Sequence, residues 1–167
     1  MDEQARKTTL RMIPYGLYVL TAEAKGAAPA AATVNWVTQT SFSPPLVAVG
    51  IKVDSGSYAA VREAGCFVLN MLGKGQQGAA FTFFKPAELE DGKLSGEEIT
   101  WAQNGAPILK SAPAAIECKL VHVAEIGDHH TFLGEVTNVH LQSEPAGRPD
   151  EAILEMKALG EKVFYGG

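Results

Sequence analysis

The stretch ATVNWVTQTSFSPPLVAVGIK, residues 32–52, sets Asn35, Trp36, Thr38, Gln39, Thr40, Ser41 and Ser43 among small apolar residues. A surface loop has no need of Trp36 and Phe42, and a plain core strand does not carry so many amides and hydroxyls without partners. The pattern calls for a large, flat, polar partner, or for an internal hydrogen-bond network in a polar-lined strand. Just downstream, Lys52-Val53-Asp54-Ser55-Gly56-Ser57 offers a cation, two hydroxyls, a permissive glycine and a helix start. Those donors can converge on an anion such as a phosphate, although Ser57 can equally serve as an ordinary helix cap. Asp54 is an awkward neighbour for an anion, and its side chain is expected to point away.

The four histidines divide by context. His122 and His140 fall in alternating strands and read as surface or interface residues. His129 and His130 follow a Gly127-Asp128 turn, and adjacent residues of a strand face opposite sides, so the two make a poor shared metal site. With no Cys pair and no His-x-x-x-His, no metal is expected. No nucleophile triad or carboxylate pair is visible either.

Bulk properties bound the elements that must position these groups. At 167 residues the chain suits one domain, 1–167, with a sizeable core. Its 46% hydrophobic and 20% charged residues are ordinary for a globular protein. A net charge of −5 with 14 scattered Lys and Arg argues against a nucleic-acid surface. No apolar run approaches the roughly 20 residues that cross a bilayer, and MDEQARKTTLRMI is no secretory leader. Cys66 and Cys118 sit in apolar runs and read as buried free thiols, which fits a reducing cytoplasm.

Residues 2–12 read as a helix stopped by Pro14, and GLYVLTA as a strand. Residues 31–39 form a second strand and LVAVGIK a third, with SFSPP turning the chain between them. A short helix follows in SYAAVREAG, capped by Ser57 and ended by Gly65. CFVLNML is a buried strand, and QQGAAFTFF a short helix ending before Pro86. Residues 85–107 are weakly patterned, with Trp101 as the one large anchor. AAIECKLVHVAEIG and HTFLGEVTNVHLQ are long strands around the Gly127-Asp128 turn. DEAILEMKAL reads as a helix capped by Asp150, and KVFYGG as a last strand. Strands arriving as hairpins indicate a mainly β, antiparallel barrel. Gly73-Lys74-Gly75-Gln76-Gln77-Gly78 spells G-x-G-x-x-G, but no second apolar strand with a terminal acid follows, so it reads as a strand-to-helix turn.

Four pieces together carry a resemblance that runs from about Tyr15 to Tyr165: YGLYVLTA, TVNWVTQTSFSPPLVAVGI, SYAAVREAGCFVLNML and GDHHTFLGEVTNV. The chain resembles the flavin reductase-like group of FMN-binding split barrels, most of all the modules that serve flavodiiron or rubredoxin-linked electron transfer. The resemblance implies an antiparallel Greek-key split barrel that binds FMN, with FAD as the alternative. It places Thr33, Val34, Asn35, Trp36, Thr38 and Gln39 beside the flavin ring and ribityl chain. The group often has Ser at Asn35 and Phe at Trp36, so backbone roles carry over better than side-chain ones. A flavin also requires donors where negative charge collects on reduction and a flat apolar wall, and this strand offers both.

By the same resemblance, Lys52, Ser55, Gly56 and Ser57 contact the FMN phosphate. Phe84, with Phe81, lies near the flavin or partner subunit unless both are core. His129 matches a histidine near the flavin and nicotinamide site. The implied activity is hydride transfer from NADH or NADPH to flavin, in a homodimer that passes electrons to free flavin, ferric chelates or a redox partner protein. A flavin-binding electron carrier or flavin store with little NAD(P)H activity is the alternative.

Overall fold

The computed structural model describes residues 1–167. Asp2 accepts from the Ala5 amide at 2.6 Å and so starts helix α1 (Glu3–Leu10), an exposed helix with no buried residue. The next elements are β1 (Tyr18–Ala22), β2 (Ala30–Val34), β3 (Val37–Phe42) and β4 (Pro45–Lys52). Helix α2 (Gly56–Ala64), β5 (Cys66–Met71) and helix α3 (Gln77–Thr82) follow. Short strands β6 (Leu89–Glu90), β7 (Lys93–Leu94), β8 (Glu97–Trp101) and β9 (Pro107–Leu109) lead to the long hairpin of β10 (Ala114–Ala124) and β11 (His129–Leu141).

Seven strands form one sheet in the order β2-β1-β5-β10-β11-β4-β3, and every pairing is antiparallel. The expected hairpin-built β architecture is present. Its sheet does not close into a barrel, because no ladder joins β2 to β3. Asn35 and Trp36 bridge that gap, and the Gly50 amide of β4 donates to Trp36 O at 2.9 Å. A second, four-stranded sheet, β6-β7-β8-β9, occupies the region that sequence pattern left unstructured. Its strands are two to five residues long, too short to show a period. Trp101 anchors nothing there, since it is 52% exposed.

β1 and β5 are buried on both faces, which explains their near-continuous apolar runs. Alternation sends Val19 to a cluster with Leu17, Leu72, Phe83 and Leu154, and Leu20 to another with Val49, Val61, Phe67 and Phe132. Each large side chain so buried contributes on the order of 1.5–3 kcal/mol. Two polar residues latch the small sheet to the large one. Asn70 donates to Val19 O at 3.0 Å and accepts from Leu109 N at 2.9 Å, while Thr21 donates to Pro107 O. Gly134 of β11 has no room for a Cβ, which would lie 2.6 Å from Phe67 Cζ.

Several sequence expectations change here. The strand expected over residues 31–39 is two strands, broken at Asn35-Trp36. Ser55, not Ser57, caps α2 by accepting from Tyr58 N at 3.1 Å, while Ser57 is buried within the helix. DEAILEMKAL is not an α-helix. Asp150 pairs with Arg148 beside a 3-10 turn, Pro149–Glu151, and isolated bridges join Ile153 to Gly73 and Glu155 to Gly16. This extended path lets Leu154 N donate to Leu72 O and Leu17 N to Leu154 O, which fills the core from outside the sheet. KVFYGG pairs with no strand. In the G-x-G-x-x-G turn, Gln76 accepts from Gly73 N at 2.6 Å and donates to Ser111 O, and no parallel strand follows. Cys66 and Cys118 are free, and burial pushes the Cys118 thiol up to about 12. No helix is long and apolar enough to cross a membrane.

His140 is no plain surface residue. Its Nε2 lies 2.7 Å from Oε1 of Glu117, whose side chain is almost fully buried. Asn138 donates to the same oxygen, and the Asn104 amide donates to Oε2 at 3.0 Å. Burial alone would raise this carboxyl, but the hydrogen bonds from His140, the 103–104 backbone and Asn138 outweigh it and hold it below the ordinary glutamate range. A depressed folded-state pKa contributes stability above the unfolded value of about 4.3, lost as pH falls through the folded value. Glu117→Gln turns an amide NH2 toward donors, so urea denaturation at pH 7 should show a loss of about 1.5–3 kcal/mol. That deficit should begin to shrink as pH falls below the unfolded value of about 4.3, and close once the depressed folded-state carboxyl is itself protonated. An equal deficit at pH 7 and pH 3 would assign the loss to packing instead.

Candidate functional site

The β4–β11 ladder sets His129 opposite Lys52 and His130 opposite Ile51. Successive residues then face opposite sides. His130 Nδ1 meets the Tyr58 hydroxyl at 2.8 Å beneath α2, while His129 turns into a cleft of about 360 Å³. The ends of β2, β4 and β11 converge on this cleft. Phe83 and Phe84 from the end of α3, Leu17, Met156 and the 163–165 segment complete its walls.

Seven residues singled out in the sequence line it: Thr33, Val34, Asn35, Lys52, Ser55, Phe84 and His129. Trp36 stands behind them, its ring 4.6 Å from that of His129 and 5.5 Å from that of Tyr165. It lies across Gly50, where a Cβ would come within 3.1 Å of Trp36 Cε3. Glycine at that position lets the indole settle on the strand. Trp36 Nε1 is buried without a hydrogen-bond partner, an omission worth roughly 1–3 kcal/mol for a buried donor.

Thr38, Gln39, Gly56 and Ser57 are not among the residues lining the cleft. The break at Asn35-Trp36 restarts the strand and carries Thr38 and Gln39 onto the exposed edge strand β3, where their side chains bond backbone carbonyls of the same strand. Gly56 is exposed at the first position of α2, and Ser57 faces that helix's packed side. Phe81 is exposed and meets Phe84 edge-on at 5.5 Å.

The polar groups of the cleft already have partners. Thr33 donates to Ala80 O at 2.7 Å, and Ser55 donates to Lys52 O at 2.8 Å. Lys52 Nζ lies 3.0 Å from Asp54 Oδ2, so the Asp54 carboxylate is paired with the lysine. That hydrogen bond and charge raise the Lys52 pKa, and the ammonium stays charged. His129 Nδ1 lies 2.9 Å from Asp128 Oδ1, a hydrogen bond that, with the nearby Lys52 cation, holds Asp128 below the usual carboxylate range. His129 Nε2 lies 2.6 Å from the Tyr165 hydroxyl. Burial first, then Asp128 and Asp54, raise the Tyr165 phenol against the opposing pull of Lys52. Asn35 donates to Tyr165 O at 3.1 Å.

Tyr165, Phe164, Val163, Met156 and Gly50 were not singled out by sequence reasoning. The aromatic pair in KVFYGG was the only available signal. Nothing local says that this segment returns to β2 and β11.

The chain matches the flavin reductase like domain over residues 10–156. It is 32% identical over 154 residues to a flavin reductase of Pseudomonas putida, covering 92% of this chain and 86% of that one. It is 31% identical over 161 residues to an NADH:FMN oxidoreductase of Rhodococcus qingshengii, covering 95% and 79%. Among solved structures, the NADH:FAD oxidoreductase SgcE6 of Streptomyces globisporus superposes with a TM-score of 0.71 at 30% identity, over 83% of this chain and 76% of that one. Several curated relatives are longer, and the chain spans 48% of one, 43% of another and 24% of a diflavin flavoprotein of Synechocystis. With its β-sheet architecture and a cleft walled by aromatic and amide groups, the chain belongs to the flavin reductase like domain family.

Proposed function

We propose that the protein binds FMN in the cleft between β2, β4 and β11 and reduces it with NADH or NADPH. The observation that supports this best is the convergence of seven resemblance-assigned residues, distant in sequence, on one cleft. The donor set suits the ligand. Lys52 and the capped start of α2 offer positive charge for a phosphate, and Asn35 and His129 offer groups for a polar ring edge. Apolar Val34, Phe83 and Phe84 wall a flat ring. The unpartnered Trp36 Nε1 is one more donor at this site.

Bound FMN would accept a hydride from the nicotinamide and hand electrons onward. The chain's own residues position and tune. Lys52 would exchange Asp54 for the phosphate, Trp36 packs against the imidazole, and Asp128 engages Nδ1 so that Nε2 is the nitrogen turned into the cleft. An imidazole can both accept and donate a proton, which suits proton relay to a reduced ring. The reading extends to a cytoplasmic homodimer that feeds a redox partner. Exposed Phe42, Val121, Val139 and Leu141 and the open edges of the sheet support the dimer.

Purified protein should be yellow or take up FMN stoichiometrically, bleach without oxygen on adding NADH or NADPH, and sediment as a dimer at micromolar concentration. A colourless protein that leaves FMN fluorescence unchanged on titration would overturn the flavin reading. A yellow protein that neither nucleotide bleaches would be an electron carrier or store. Lys52→Ala should weaken FMN about tenfold or more while sparing riboflavin, which has no phosphate. Equal losses would make Lys52 a shaping residue only. His129→Ala should slow anaerobic reduction by roughly 10²-fold or more, with FMN affinity within a few fold. His130→Ala, which faces Tyr58, is the control, and matching rates for wild type and His129→Ala would remove His129 from the chemistry.

A further inference from the structure

Residues 163–167 draw on the same polar groups that a ring ligand would use. Tyr165 takes Nε2 of His129 through its hydroxyl, the ring of Trp36 through its face and the amide of Asn35 through its carbonyl. Gly166 lies over Trp36, where a Cβ would be 3.5 Å from Nε1. The imidazole has no nitrogen left, because Nδ1 is engaged by Asp128. A phenol O–H donating to Nε2 while Nδ1–H donates to the carboxylate satisfies both ring nitrogens. A carboxamide NH2 on a flat ring presents the same two features to this site, a hydrogen-bond donor for Nε2 and an aromatic face for the indole.

We propose that the Phe164-Tyr165 segment is a displaceable occupant of the dihydronicotinamide subsite, with Tyr165 competing directly for His129 and Trp36. This rests on the NAD(P)H–flavin reading above. Anchoring fits displacement. Val163 packs against the core cluster and its amide donates to Gly160 O, which fixes the segment's root. Beyond it no ladder holds the backbone. Apart from the contacts of Tyr165, Arg11 Nε donates to Gly166 O at 3.2 Å and the Arg11 guanidinium lies 4.3 Å from the Phe164 ring centre, on exposed α1. Segments held by few, exposed contacts open at low free energy. The unpartnered Trp36 donor beneath Gly166 further weakens the closed arrangement. Tyr165 lines the cleft while remaining half-exposed, so its displacement opens the cleft from the solvent side, where a second ligand would arrive.

The test uses FMN-loaded protein. Tyr165→Phe removes only the hydroxyl, so its competition for His129 weakens. The KM for NADH or NADPH should fall about five-fold, the yield of one ordinary hydrogen bond, with the limiting reduction rate and FMN affinity within about twofold. In the wild type, amide exchange of residues 163–167 should speed up when saturating NAD⁺ is added to the FMN-loaded protein, because the segment is expelled. An unchanged or raised KM in Tyr165→Phe, or unchanged or slower exchange with NAD⁺, overturns the gate. A limiting rate lowered tenfold also overturns it and makes Tyr165 part of the reacting site. Failure of the flavin reading looks different: the protein takes up no FMN at all, and the gate falls with it.

Discussion

The antiparallel register between β4 and β11 is the constraint on which the site depends. It places His129 across from Lys52 at the open end of the ladder and sends His130 to the opposite face, under α2. Strand geometry makes that assignment binary, since a slip of one residue exchanges the faces of every side chain. The slip is opposed from within. Phe132, on the same face as His130, is fully buried against Tyr58 and the Val49–Ile51 cluster, and Gly134 alone fits beside Phe67. Core packing on one face of β11 thereby fixes which imidazole enters the cleft on the other.

The opening in the sheet has a comparable logic. No ladder joins β2 to β3. The chain instead turns at Asn35-Trp36, lays the indole on Gly50 and leaves β2 with a free end that the cleft uses. The polar residues that looked excessive for a core strand fall into two groups as a result. Asn35 is 4% exposed and faces the cleft, while Thr38, Gln39 and Thr40 decorate an exposed edge. The internal network considered from sequence exists only in part, as Thr33 to Ala80 and Asn35 to Tyr165.

Substantial free energy is also committed away from the cleft. The Glu117 cluster ties the 103–104 turn to the β10–β11 hairpin, and Asn70 with Thr21 ties β9 to the central strands. These buried, satisfied polar groups orient the small sheet against the large one. Such groups specify a unique arrangement only when every partner is present. Residues 85–107 add Leu94, Ala102 and Ala106 to the core, and those bonds fix how their short strands sit against it.

Much of the architecture was legible in the chain itself. The apolar runs of β1 and β5, the alternation of β10 and β11, the Gly65 stop and the Gly127-Asp128 turn are local signals, decided by burial and backbone sterics over a few residues. The split of His129 from His130 was legible for the same reason, since it needs only a period of two. Asn35 could be singled out because an amide is costly to leave among apolar neighbours without a partner, and Lys52 and Ser55 because a cation and hydroxyls ahead of a helix start can converge on an anion. Tertiary structure alone decided the rest. The four short strands of 89–109 fall below the length at which a period appears, and bridges with Gly16 and Gly73 divide the 150–159 stretch into two 3-10 turns where its pattern promised one α-helix. The place of Tyr165 against His129 joins residues 36 positions apart, and Asn35 reaches the same segment across 130. Contacts over such separations depend on chain paths that no local propensity encodes, so the lining of the cleft became visible only once the strands had been assembled around it.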